Sequence, residues 1–121
     1  MSDTAPAPLP LGELLARLSR LHPTQIDLSL TRMQRLLAQL GHPERKLPPV
    51  IHVAGTNGKG STCAFVRAIL EAADLRVNVY TSPWLVRINE SVRLGHAGGA
   101  VLVGDDELRE ALLHCERVTA G

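Results

Sequence analysis

At 121 residues and a net charge of +1, the chain is long enough for one domain and has no charge excess to attract nucleic acid or an acidic membrane. Hydrophobic residues make up 45% of it, as in globular soluble proteins, yet no run reaches the 18 apolar residues of a membrane span. Its aromatics, Phe65, Tyr80 and Trp84, are too few for a platform on which single-stranded bases stack.

Residues 1–10 hold three prolines among small side chains and are expected to form a flexible tail. No basic segment followed by an apolar stretch opens the chain, so no signal peptide is read. Leu11, Leu14, Leu15, Leu18 and Leu21 recur at helical spacing, and Pro23 ends that helix. A second helix is expected after Asp27, a suitable N-cap, with Leu30, Met33, Leu36, Leu37 and Leu40 as its stripe. Gly41 and Pro43 supply its stop signal. A polar, proline-rich connector follows over residues 42–49.

Residues 50–54 are a short apolar run of strand length, suited to a sheet interior. The run breaks into Gly55-Thr56-Asn57-Gly58-Lys59-Gly60-Ser61-Thr62. A helix is expected from about Lys59 to Ala73, with Phe65, Ala68, Ile69 and Ala72 on one face. Residues 76–80 read as a second strand. Strand, helix and strand predict a βαβ unit with parallel strands and a right-handed crossover.

The loop between the first strand and the helix carries the chemistry. Glycines let backbone amides approach an anion closely. The helix start adds free N–H groups and a partial positive charge, which together form a phosphate cradle. Lys59 brings a full charge for the outer phosphates, and Ser61 or Thr62 a hydroxyl for phosphate oxygens or a metal's shell. The spacing departs from the usual P-loop: Gly60 stands between the lysine and the hydroxyl, and only Thr56 and Asn57 separate Gly55 from Gly58. A glycine-rich turn with a solvated lysine is the plainer alternative.

Thr81-Ser82-Pro83-Trp84 leaves the second strand, which parallel geometry puts on the same sheet edge as the phosphate loop. Ser82 is thereby placed to face a metal held by a nucleotide; a simple Ser-Pro turn is the alternative. Residues 91–94 and 100–103 flank a glycine-rich tip and predict a hairpin. Asp105 or Asp106 is expected to cap a last helix, with Leu108, Leu112 and Cys115 on its buried face. Cys63 and Cys115 form no CxxC pair and read as free buried thiols in a reducing, cytoplasmic setting. His52 reads as a hydrogen-bonded core residue. His22, His42, His96 and His114 lack metal-ligand spacing. No internal repeat is present.

Residues 52–62, then Tyr80-Thr81-Ser82-Pro83-Trp84-Leu85-Val86-Arg87 and Asn89-Glu90, closely resemble folylpolyglutamate synthase. The A-G-T-N-G-K-G-S form resembles the nucleotide loop of the Mur-ligase superfamily, and T-S-P with R-x-N-E narrows it to the folate branch. Residues 21–28 are similar to the pterin-proximal segment of the dihydrofolate synthase type. The resemblance runs from about Leu14 onward.

It implies an α/β, P-loop-type three-layer parallel-sheet domain. Residues 11–121 would be its N-terminal part: helices, βαβ unit, β-hairpin and helix. It also implies that ATP phosphorylates a dihydropteroate or folate carboxylate, and that L-glutamate then attacks the acyl phosphate, with Mg2+ on the phosphates. By resemblance Lys59 is catalytic, and Gly55, Thr56, Asn57, Gly58, Lys59, Gly60, Ser61 and Thr62 bind ATP. Ser82 is a magnesium ligand, and Gln25, Ile26 and Asp27 line the dihydropteroate site. Arg87 and Glu90 are candidate loop-ordering residues.

Trp84 stands where many relatives have histidine, keeping an aromatic face and losing a donor. Family members are several times longer. Their later metal ligands, modified lysine and glutamate-binding domain have no counterpart here, so the fragment is expected to be inactive alone and its parent a monomer. The alternative is a P-loop nucleotide-binding or phosphotransferase domain of another kind, against which Gly60 after Lys59 argues.

Overall fold

The computed structural model describes residues 7–21 and 29–120. They divide into two compact units, Met1–Lys46 with Asp106–Gly121, and Leu47–Asp105. Among the described residues no helix is long and apolar enough to cross a membrane.

The first unit is helical. Helix α1 spans Leu11–Ser19, α2 Thr31–Gln39 and α4 Asp105–Thr119. Pro10 fits just outside α1 because its fixed, extended backbone offers a carbonyl and needs no amide partner; that carbonyl accepts from Leu14 N–H at 3.1 Å. Leu14 is completely buried, with Leu11, Leu15 and Leu18 half-buried beside it. Leu21 falls beyond the helix and is exposed. Arg17 of α1 donates to Glu116 of α4 at 2.6 Å.

Helix α2 begins at Thr31; the expected cap, Asp27, lies outside the described residues. Its end follows the expected stop signal. His42 N–H bonds to Leu37 O at 2.8 Å and Gly41 N–H to Ala38 O at 3.1 Å, the paired bonds of a Schellman motif. Of its predicted stripe, Leu36, Leu37 and Leu40 are half-buried, while Leu30 and Met33 are exposed. The connector forms a short 3-10 turn, Pro43–Lys46.

The second unit holds α3, Lys59–Ala72, and a small sheet of β1, Val79–Tyr80, β2, Val92–Leu94, and β3, Val101–Leu102. The strand order is β1-β2-β3 and both pairings are antiparallel, with Tyr80 opposite Val92 and Leu94 opposite Val101. The predicted hairpin is present. The predicted βαβ unit is not, and that reading is corrected. Residues 50–54 pair with no described segment, and Val50 and Ile51 are 71% and 62% exposed. An apolar run becomes a strand only when a neighbour satisfies its backbone groups. The neighbour expected for it is shortened to β1, Val79–Tyr80, which pairs with β2 on one side and with no described strand on the other. His52 is accordingly exposed and not a core residue. The α/β class itself stands, with helices and sheet in one chain.

The apolar face named for helix α3 lies in solvent. Phe65 and Ile69 are 71% and 68% exposed, with Ala68 and Ala72 beside them, whereas Cys63, Val66, Arg67 and Leu70 are half-buried. Arg67 and Glu71, four residues apart and paired at 3.9 Å, lie on the half-buried side, so the more apolar face is the one left in solvent. A long-range bond helps hold it in place: Glu71 accepts from Ala100 N–H of the hairpin at 2.9 Å. Leu75 N–H bonds to Leu70 O and Asp74 N–H to Glu71 O, a second Schellman end. Cys63 and Cys115 are free, and half-buried rather than fully buried.

Two outcomes follow from this packing. Leu14→Ala is expected to lower stability by about 2–5 kcal/mol in urea unfolding, as for other fully buried leucines. The exposed face of Phe65 and Ile69 should make the isolated chain self-associate; sedimentation velocity independent of concentration would contradict this.

Candidate functional site

One residue shapes the loop over 55–62. Gly58 immediately precedes α3 with φ +76°, a left-handed conformation strained for any residue with a Cβ. That turn aims the chain straight into the helix, so Lys59 is its first residue. The first intrahelical bond runs from Thr62 N–H to Gly58 O at 3.0 Å. The amides of Lys59, Gly60 and Ser61 precede it and have no helical carbonyl behind them. They also sit at the positive end of the helix dipole.

The first part of the Lys59 side chain lies near Gly55. A Cβ built on Gly55, at φ +155°, would lie 3.9 Å from Lys59 Cγ. Thr62 Oγ1 donates its proton to Gly58 O at 2.9 Å, leaving its lone pairs directed elsewhere. Residues 54–62 are exposed, so these donors meet solvent directly. The arrangement suits a polyphosphate: several N–H groups, one ammonium and two hydroxyls lie within one turn and the start of a helix.

A hollow of about 380 Å³ lies at the far end of α3, lined by residues including Glu71, Asp74, Arg76 and His96. It brings two carboxylates and no helix N-terminus, so the phosphate-binding chemistry belongs to the exposed loop and not to this hollow. Among the described residues no group of three or more His, Cys, Asp or Glu is placed to hold a metal.

The other predicted site residues are not gathered here. Gln25, Ile26 and Asp27 lie outside the described residues. Ser82 is exposed in the loop after β1 and is joined to Pro83 by a cis peptide bond. Its expected place at one sheet edge with residues 55–62 rested on parallel strands that do not form.

What the structure adds is the frame of the Ser82 loop. Glu90 Oε2 accepts from Leu85 N–H at 2.8 Å, and Oε1 from Val86 and Arg87 N–H at 3.2 Å each. Asn89 is buried and donates to Val103 O and Asp105 Oδ1, both at 3.0 Å. Arg87 also pairs with Asp105. Asp105, the last residue of the second unit, therefore joins two residues of R-x-N-E within that unit, and Asp106 engages Arg109. The signal for Glu90 was legible: glutamate three residues after a turn's first residue can reach back to that residue's amide.

No protein-family model matches the chain. It is similar to the dihydrofolate synthase/folylpolyglutamate synthase of Escherichia coli, 47% identical over 91 residues, which are 75% of this chain and 21% of that protein. The Bacillus subtilis protein of the same name is 45% identical over 78 residues, 64% of this chain and 17% of that one. The chain thus spans about a fifth of the length of these curated relatives. A bifunctional folylpolyglutamate synthase/dihydrofolate synthase from Yersinia pestis, solved with AMPPNP and a manganese ion, superposes with a TM-score of 0.77 at 38% identity, covering 94% of this chain and 27% of that one.

The Glu90 carboxyl is held below its ordinary 4.5, chiefly by the amide of Leu85 and then that of Arg87, against an opposing effect of burial. The folded group therefore titrates below the unfolded one. Its contribution is complete above pH 4.5 and is lost as pH falls through the folded value. Trp84, the single tryptophan, lies in this loop. Its emission is expected to stay constant above pH 4.5 and to change below it; a transition centred at higher pH would contradict the assignment.

Proposed function

We propose, for a chain homologous over about a fifth of their length to the folylpolyglutamate/dihydrofolate synthases, that it supplies the phosphate-binding loop of an ATP-dependent ligase and part of its pterin site. The ligase joins L-glutamate to dihydropteroate or to folate. The observation that carries this reading is the left-handed Gly58, which starts α3 directly at Lys59 and leaves the amides of residues 59–61 without a helical carbonyl at an exposed helix N-terminus.

The chemistry asks for such a point. A carboxylate is a poor acylating agent because its leaving group would be an oxide. In the proposed reaction a carboxylate oxygen of the pterin substrate attacks the γ-phosphorus of ATP, and ADP leaves. The glutamate amine then attacks the carbonyl carbon, phosphate departs, the amine loses a proton, and an amide remains. Phosphoryl transfer needs alignment and charge neutralisation more than a protein nucleophile. The amides of residues 56–61 and Lys59 hold the phosphates and meet the charge that develops on them. Mg2+, when bound, would supply further positive charge to the phosphates. The residues present fit it through hydroxyl oxygens: Thr62, whose lone pairs are left open by its bond to Gly58 O, with Ser61 beside it, and Ser82 as the proposed ligand from the second loop. Gln25, Ile26 and Asp27 are proposed to wall the pterin. A cytoplasmic location accords with the free thiols of Cys63 and Cys115.

Calorimetry of ATP–Mg2+ with the wild-type chain and Lys59→Ala tests the loop. Loss of the ammonium is expected to weaken binding by about 10–100-fold, the worth of one charge-assisted contact. Dihydropteroate added to the wild type should bind as well. No nucleotide binding by the wild type would overturn the reading, and nucleotide binding without pteroate binding would leave only a general phosphate-binding loop.

A further inference from the structure

We propose that Glu90 is a positioning residue, whose carboxylate gathers the amides of Leu85, Val86 and Arg87 and thereby fixes the loop that presents Ser82 and Trp84. The functional half of this proposal rests on the reading of Ser82 as a ligand of nucleotide-bound magnesium.

Both ends of the loop are tied to one short 3-10 turn, Ile88–Ser91. At the start, Thr81 N–H bonds to Ser91 O at 2.9 Å. At the end, the two oxygens of Glu90 take three successive amides at 2.8 to 3.2 Å. The turn is itself immobilised. Ser91 and Asn89 are buried, Asn89 holds Val103 O and Asp105, and Asp105 holds Arg87. Val103 N–H in turn bonds to Val92 O at 3.0 Å, so the anchor reaches into the sheet.

The loop's own side chains contribute little to its shape. Leu85 is 91% exposed and Val86 82%. A segment with so little apolar burial has nothing to offset the entropy of one conformation except its backbone hydrogen bonds. Those bonds converge on one carboxylate. Glutamine in its place has one acceptor oxygen instead of two and turns an NH2 group toward amide donors. Aspartate keeps the charge but is one methylene too short to reach all three.

The test uses the whole chain with Trp84 as reporter. In Glu90→Gln, acrylamide quenching of Trp84, now 48% exposed, is expected to rise toward that of a free indole, with far-UV circular dichroism unchanged. The gain in ATP affinity from added Mg2+, measured against EDTA, is expected to fall about tenfold in both Glu90→Gln and Ser82→Ala. Binding in EDTA, which depends on residues 55–62, should not change. Should Glu90→Gln fail to fold, Leu85→Pro deletes the donor of the 2.8 Å bond at an exposed side chain and is expected to loosen Trp84 likewise. Unchanged quenching in both variants overturns the proposal. So does a loosened loop that keeps its magnesium gain while Ser82→Ala loses it. If Ser82→Ala keeps the gain, the metal reading of Ser82 fails, and the quenching arm still decides whether Glu90 holds the loop.

Discussion

Backbone amides at a helix start point along its axis with no carbonyl to receive them, and something outside the helix must do so. In this chain that requirement falls at α3, where a left-handed Gly58 brings the turn onto the axis without a linker. An anion with several oxygens satisfies three or more such amides at once, and Lys59, whose stem lies near Gly55, adds a full positive charge at the helix start. The reading of this chain as the phosphate-holding section of a glutamate ligase depends on that local geometry.

A second constraint operates on the loop after β1. Here no helix start supplies donors; one carboxylate collects them instead. Glu90, Asn89, Arg87 and Asp105 form a connected polar set in which the buried Asn89 has its donors engaged. The two loops thus use opposite devices. The first leaves amides unpaired and ready for a ligand, and the second pairs its amides internally and leaves only side chains, Ser82 and Trp84 among them, outward.

The exposed apolar surface belongs to the same picture. Val50, Ile51, Phe65 and Ile69 are all more than 60% exposed. Apolar groups of this size are ordinarily taken from water by neighbouring strands and helices. The curated relatives that this chain matches are covered over only about a fifth of their length.

Features set by near neighbours in the chain were legible from residue order alone. The glycine spacing marked the loop, helical periodicity marked α1 and α3, and Gly41 before Pro43 marked the end of α2, because each rests on interactions spanning a few residues. Even the Glu90 contact to Arg87 carried a readable three-residue spacing. Tertiary structure alone decided that β1 took β2 as its partner, that the apolar face of α3 stayed in solvent, and that Asp105 closes on Arg87 and Asn89. Those outcomes are competitions between distant segments for the same hydrogen bonds and the same buried area, and no local pattern records which competitor wins.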